Sequence, residues 1–328
     1  MHHRTLVAIV VLSTVALTGH PRAQAPERGR RAPAGKSAGV WTAPRTPDGQ
    51  PDLQGVWDYR NATPLERPAQ FAGKEFLTDA EVADYERRAA ARTDGRNPDD
   101  PRTDPSVQPP EWLDYGKKMV GGNRSSLIVD PPDGHIPPLT PAGQARAAAR
   151  RAEAQTRGAA DNPETRTLWE RCITRGLPEG VLPAGYNNNV QIFQAPGYVV
   201  ILMEMIHDAR IVPLDGRPHL PATAGQWMGD SRGRWEGNTL VIDTINFSGK
   251  ANFRGAGDHL HLVERLTRTS DTTIDYRFTV DDDTTWTKPW TVMLPLVQSD
   301  GSVYEYACHE GNRGLENILS QARTNQRR

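Results

Sequence analysis

The residues best suited to chemistry lie together in Tyr198–Asp230, YVVILMEMIHDARIVPLDGRPHLPATAGQWMGD. The stretch opens as a strongly apolar run and then turns into ionisable side chains: Glu204, His207, Asp208, Arg210, Asp215, Arg217 and His219. An apolar wall ending in convergent polar groups is the pattern of a ligand cavity. His207 and Asp208 have the side chains of a general acid–base pair. Arg210 or Arg217 has the planar fork that grips a carboxylate or an oxyanion. Glu204 and His219 are further hydrogen-bonding contacts for a substrate.

A second stretch adds a carboxylate. In His259–Arg268 a period of two puts Leu260, Leu262, Glu264 and Leu266 on one face. Glu264 is then a carboxylate among leucines, which needs a partner or an altered pKa. Such a group serves as a general acid or base, or as one half of an ion pair with Arg210, Arg254 or Arg268. The catalytic candidates are therefore His207, Asp208 and Glu264. Trp286 and Trp290, four apart on one face, are either core or a surface on which a ligand ring stacks. Trp227, Trp235, Tyr304 and Tyr306 add aromatic character nearby.

Competing chemistries have less behind them. His259-x-His261 sets two imidazoles at a spacing that binds zinc or iron, but a third ligand such as His207 or Glu204 must come from elsewhere. The expectation is no metal and no cofactor. Gly229-Asp230-Ser231-Arg232-Gly233 has the G-x-S-x-G pattern but lies between strands rather than at a strand–helix elbow, and there is no G-x-G-x-x-G and no P-loop.

The elements that position these residues are mainly β. From Tyr186 onward the period is two. Hairpins are expected at Val190–Phe193 with Tyr198–Ile206, Arg232–Trp235 with Thr239–Phe247, His259–Thr269 with Thr273–Val280, and Trp286–Leu296 with Val303–Cys308. A meander this long must curl or close to hide its edges. Gly55-Val56-Trp57 resembles the Gly-x-Trp that opens lipocalin and other calycin barrels, where the tryptophan plugs the closed end. Helices are expected at Thr78–Thr93 behind a capping box, at Thr140–Arg157, after Asn162-Pro163 as far as Gly176, and at Arg313–Arg323. The fold class is thus a curled antiparallel meander or calycin-like barrel, with N-terminal helical insertions at about 65–176 and a C-terminal helix.

Composition fixes the setting. His2, His3 and Arg4 precede an apolar run from Leu6 to Leu17, and Ala23-Gln24-Ala25 supplies small residues for signal peptidase. A signal peptide of residues 1–25 is expected, then a linker over 26–50 rich in Arg, Pro, Gly and Ala, then one β-rich domain over 51–328. The chain of 328 residues carries a formal charge of −1. That balance gives no reason to expect nucleic acid as a partner. No later apolar run is long enough to span a membrane. The expected partner is a small molecule, and the expected location is the periplasm or outside the cell. The two cysteines, Cys172 and Cys308, are expected to form a disulfide there.

The runs SLIVDPPDG (126–134), EMIHDARIVPLDGRPH (204–219), QWMGDSRGRWEG (226–237) and YEYACHEGNRGLEN (304–317) resemble a large family of exported bacterial proteins without a characterised activity. That resemblance implies export and a shared β-rich fold, and no site residue. From the residues themselves the leading function is acid–base hydrolysis or elimination on an amphipathic glycoside or aromatic, by a hydrolase or lyase. A non-catalytic periplasmic binder of a similar ligand is the alternative. A metal-dependent hydrolase or oxygenase is the third.

Overall fold

The computed structural model describes residues 41–94, 113–158, 160–250 and 253–326. The expected signal peptide lies outside the described residues, as do residues 26–40 of the expected linker. Residues Trp41–Arg328 form one compact unit.

Ten strands make one sheet. They are β1 (Gly55–Asp58), β2 (Ile128–Asp130), β3 (Asn189–Ala195), β4 (Tyr198–Met203), β5 (Ala209–Pro213), β6 (Asp230–Glu236), β7 (Thr239–Ile245), β8 (His261–Ser270), β9 (Thr273–Asp281) and β10 (Trp290–Gln298). The order across the sheet is β5-β4-β3-β1-β10-β9-β8-β7-β6, with β2 also on β10, and every ladder is antiparallel. The sheet curls until its two edge strands meet. A Cβ on Gly233 of β6 would lie 2.5 Å from Leu214 and 2.8 Å from Val212, so the missing side chain lets β6 pack against the β5 region. The result is a nearly closed antiparallel barrel, mainly β, compatible with a calycin-like fold. No backbone ladder joins β5 to β6, which leaves a seam.

Alternation fills the barrel. Val190 and Ile192, Val199 and Ile201, Leu240 and Ile242, Leu262 and Leu266, Ile274 and Phe278, and Val292 and Leu294 all belong to one buried core. Trp57 is fully buried in this core, and its Nε1 donates to Leu53 O at 2.9 Å. The Arg268 guanidinium lies 5.4 Å from the Trp57 ring centroid and donates to Asp52 O. Residues 41–50 are joined to the hairpin turns: Arg45 donates to Asn238 and Trp41 to Asp271.

Among the described residues there are three α-helices: α1 (Asp79–Asp94), α2 (Pro141–Thr156) and α3 (Gly314–Gln326). Their starts follow from the sequence. Thr78 and Glu81 exchange hydrogen bonds as a capping box. Thr140 Oγ1 accepts from Gly143 N, with Pro141 in the first turn. Among the described residues no helix is long and apolar enough to cross a membrane.

Three expected elements differ. The helix after Asn162 is only a 3-10 turn at Pro163–Thr165 followed by irregular chain. Cys172 at φ 54° and Gly176 at φ 74° adopt left-handed backbone that an α-helix does not continue through. The strand expected at Val303–Cys308 forms no ladder. β10 already has β9 on one side and β1 and β2 on the other, so no edge remains for it. The strand expected over Tyr198–Ile206 ends at Met203, and Ala209–Pro213 is a separate strand.

Candidate functional site

The polar residues singled out in the sequence divide among three places. Arg210 and Glu264 meet inside the barrel. Arg210 comes from β5, Glu264 from β8, and their exposures are 6% and 0%. Arg210 grips Glu264 with both terminal nitrogens, Nη2 to Oε1 at 2.9 Å and Nη1 to Oε2. Tyr276 Oη, from β9, donates to Glu264 Oε1 at 2.7 Å. Burial pushes the Tyr276 pKa well up, and the Glu264 charge adds to this. Burial alone would lower the Arg210 pKa, but Glu264 outweighs it and the net direction is up. Both carboxylate oxygens are thus occupied by protein donors.

Glu204, His207 and Asp208 occupy the corner between β4 and β5. Glu204 is buried and accepts from Asn189 Nδ2 at 2.8 Å. His207 is exposed, and the hydrogen bonds of Glu264 go to Arg210 and Tyr276 rather than to it. Asp208 Oδ2 accepts from Thr174 Oγ1 at 2.8 Å and from Arg175 N at 3.3 Å. Burial raises the Asp208 pKa and prevails over these hydrogen bonds and over the nearby His207. The corner holds two non-glycine residues in left-handed backbone, Ile206 at φ 62° and His207 at φ 48°. A buried β-branched residue there is an outlier that only tight surroundings sustain.

Arg217 and His219 lie elsewhere. Arg217 is exposed and paired with Asp215. His219 meets Asp230 Oδ2 with Nδ1 and Asp243 Oδ1 with Nε2, both at 3.0 Å. His261 Nε2 meets the other oxygen of Asp243 at 2.8 Å. Ile242 and Thr244 are the inward neighbours of Asp243 in β7, so this cluster sits on the outer wall. It ties the long 214–229 connection down across β6 and β7. His259 precedes β8 rather than sharing a strand face with His261. Among the described residues no group of three or more His, Cys, Asp or Glu side chains is arranged to hold a metal ion.

Trp286 and Trp290 are core. They are buried and pack edge-to-face at 5.6 Å between centroids, and Trp290 stacks on Phe253 at 5.9 Å. Neither offers a face to a ligand in this arrangement.

A large cavity opens beside the strained corner. Its volume is about 1090 Å³. One wall is the irregular segment between Glu164 and Glu179, a second is the end of α2 at Glu153 and Arg157, and a third is formed by Phe247, Lys250, Phe253 and Leu260 on the β7–β8 connection. Trp227 completes it. Leu177, Phe247, Phe253 and Leu260 also belong to the barrel core, so the cavity floor is continuous with the barrel interior. Trp169 and Trp227 are 36% and 37% exposed, unlike Trp286 and Trp290. Thr174 and Arg175, the partners of Asp208, face this space.

The segment that walls the cavity has no regular helix or strand to hold it. Cys172 is bridged to Cys308, with Cα atoms 5.8 Å apart. Trp169 Nε1 donates to Tyr306 Oη at 3.4 Å. Thr174 is anchored on Asp208. Sequence reasoning singled out Trp227 but passed over Arg171, Arg175, Phe247, Lys250 and Phe253. The usable signal was the density of Trp and Arg in LWERCITRG (168–176), flanking a cysteine.

The fold and this geometry define a nearly closed β-barrel with a large cavity between the 164–179 segment and the β7–β8 connection. A scan against protein-family models finds none that matches the chain, and a search of curated proteins finds none similar to it.

Proposed function

We propose that the chain is an exported, ligand-binding barrel of calycin-like architecture that holds an amphipathic small molecule in the cavity beside its β7–β8 connection. The observation that carries the reading is that cavity, which combines exposed tryptophans, a floor of core phenylalanines and leucines, and polar side chains on its walls. Such a mix of apolar body and few polar groups is what small-molecule sites share. The Cys172–Cys308 bridge is compatible with export, and the Ala-Gln-Ala sequence before residue 26 supports it. Non-catalytic binding fits the interior best, because Glu264 is fully engaged and lies apart from His207.

The test is a thermal-shift screen of amphipathic aromatics and glycosides with product detection by mass spectrometry. Hits should raise the melting temperature saturably and emerge unchanged. Trp169→Ala and Trp227→Ala should each weaken the hits by about tenfold, the scale of one lost aromatic contact. Hits unaffected by both substitutions would place the site elsewhere.

One observation favours a second reading, a hydrolase or lyase. Asp208 has a raised pKa, sits behind the cavity wall, and belongs to a strained corner. Perturbed carboxylates at strained corners are typical acids and bases. Turnover abolished by Asp208→Asn, with binding retained, would establish it.

A further inference from the structure

Resting on the reading of the cavity as a ligand site, we propose that Arg175, with Arg171 and Lys250, forms an anion subsite in it, and that the ligand is an aromatic compound bearing a single carboxylate. Five basic and three acidic side chains line the cavity. Arg157 is paired with Glu153 and Arg166 with Glu170. Arg171, Arg175 and Lys250 then stand against Glu164 and Glu179, and no ion pair among the described residues involves any of the five. One positive charge is left over, which matches a monoanion better than a phosphate dianion.

Arg175 is the most constrained of the three. Its Nη1 is buried and has no hydrogen-bond acceptor among the described residues. A buried guanidinium N–H without an acceptor is costly, and a ligand oxygen would satisfy it. The guanidinium lies over the Trp169 ring, 5.2 Å from its centroid, so its plane is set before any ligand arrives. A preset planar fork suits a carboxylate. Trp169, Trp227, Phe247 and Phe253 offer ring faces and edges to the body of the ligand.

The test uses three probes of one shape: 2-naphthoate, 2-naphthalenemethanol and 2-naphthylmethylammonium, titrated calorimetrically into the full chain at pH 7. The acid should bind at least tenfold more tightly than the alcohol, and the ammonium most weakly. In Arg175→Met the acid and alcohol should agree within about threefold, while the alcohol keeps its wild-type affinity. Arg171→Met should give a smaller loss of the same preference. Equal binding of acid and alcohol to the wild type overturns the anion subsite and leaves the cavity reading intact. Should none of the three bind, both fall. If Arg175→Met does not fold, Arg175→Lys decides, because it keeps the charge and removes the fork; an undiminished acid preference in it overturns the role given to Arg175.

Discussion

Glu264→Gln is the substitution with the largest consequence. The side chain keeps its volume and one acceptor oxygen, but its new amide group faces the guanidinium donors. Arg210, 6% exposed, is left as a buried charge with no counter-ion. Removing one partner of a buried pair costs about 3–5 kcal/mol. Whole domains are stable by only about 5–15 kcal/mol, so this is a large fraction. The melting temperature should fall by roughly 5–10 °C. Arg210→Met with Glu264→Leu should recover most of the loss, because it removes both charges together. Tyr276 Oη would then lack its acceptor, so adding Tyr276→Phe should recover about 1–3 kcal/mol more. Urea titration followed by tryptophan fluorescence measures all four proteins. A single variant within about 1 kcal/mol of wild type, or a double variant no better than the single, would refute the reasoning.

Three further outcomes follow from the geometry. Burial raises the Asp208 pKa above 3.8, so its charged form burdens the folded state once pH passes that range. Asp208→Asn should therefore melt higher than wild type near neutral pH, and the advantage should shrink as pH falls toward 3.8; a difference that ignores pH would contradict this. Replacing Cys172 and Cys308 by serine opens a loop whose ends are 136 residues apart and should cost about 2–5 kcal/mol, read by urea titration. The same variant should bind cavity ligands more weakly, because the 164–179 wall loses an anchor. Gly233→Val should lower stability through overpacking against Val212 and Leu214, by about 1–3 kcal/mol, whereas Gly237→Ala in the adjacent exposed turn tests only its left-handed backbone.

The barrel was legible because its cues are local. Turn pairs such as Pro196-Gly197 and Gly237-Asn238 separate runs of period two, and a run of leucines around Glu264 gives its face away. The capping residues Thr78 and Thr140 marked real helix starts for the same reason. β5 was hidden because its inward position is Arg210, which breaks the apolar alternation that marks a strand. Its partner Glu264 was visible, and the two make sense only as a pair across the barrel. The cavity was the hardest part to read. Its walls come from positions as far apart as Glu153 and Leu260, and the 164–179 wall has no period at all. What shapes that wall is a disulfide, a Trp–Tyr contact and a Thr–Asp hydrogen bond, each between residues distant in the chain.

The seam between β5 and β6 changes how such a barrel would come open. A barrel sealed by a continuous ladder loses its rungs one after another, each at a small separate cost. Here the circuit of backbone hydrogen bonds stops at β5 and resumes at β6. What spans the gap is a bolt from β5 to β8, the Arg210–Glu264 pair, together with the close fit at Gly233. A bolt is either home or drawn. Amides bordering the seam should accordingly exchange with solvent as one group, with a single shared opening free energy, rather than along a gradient from the ends. Drawing the bolt would also widen the barrel toward the cavity floor at Phe247 and Leu260, so the grip on a ligand and the girth of the barrel are one mechanical variable.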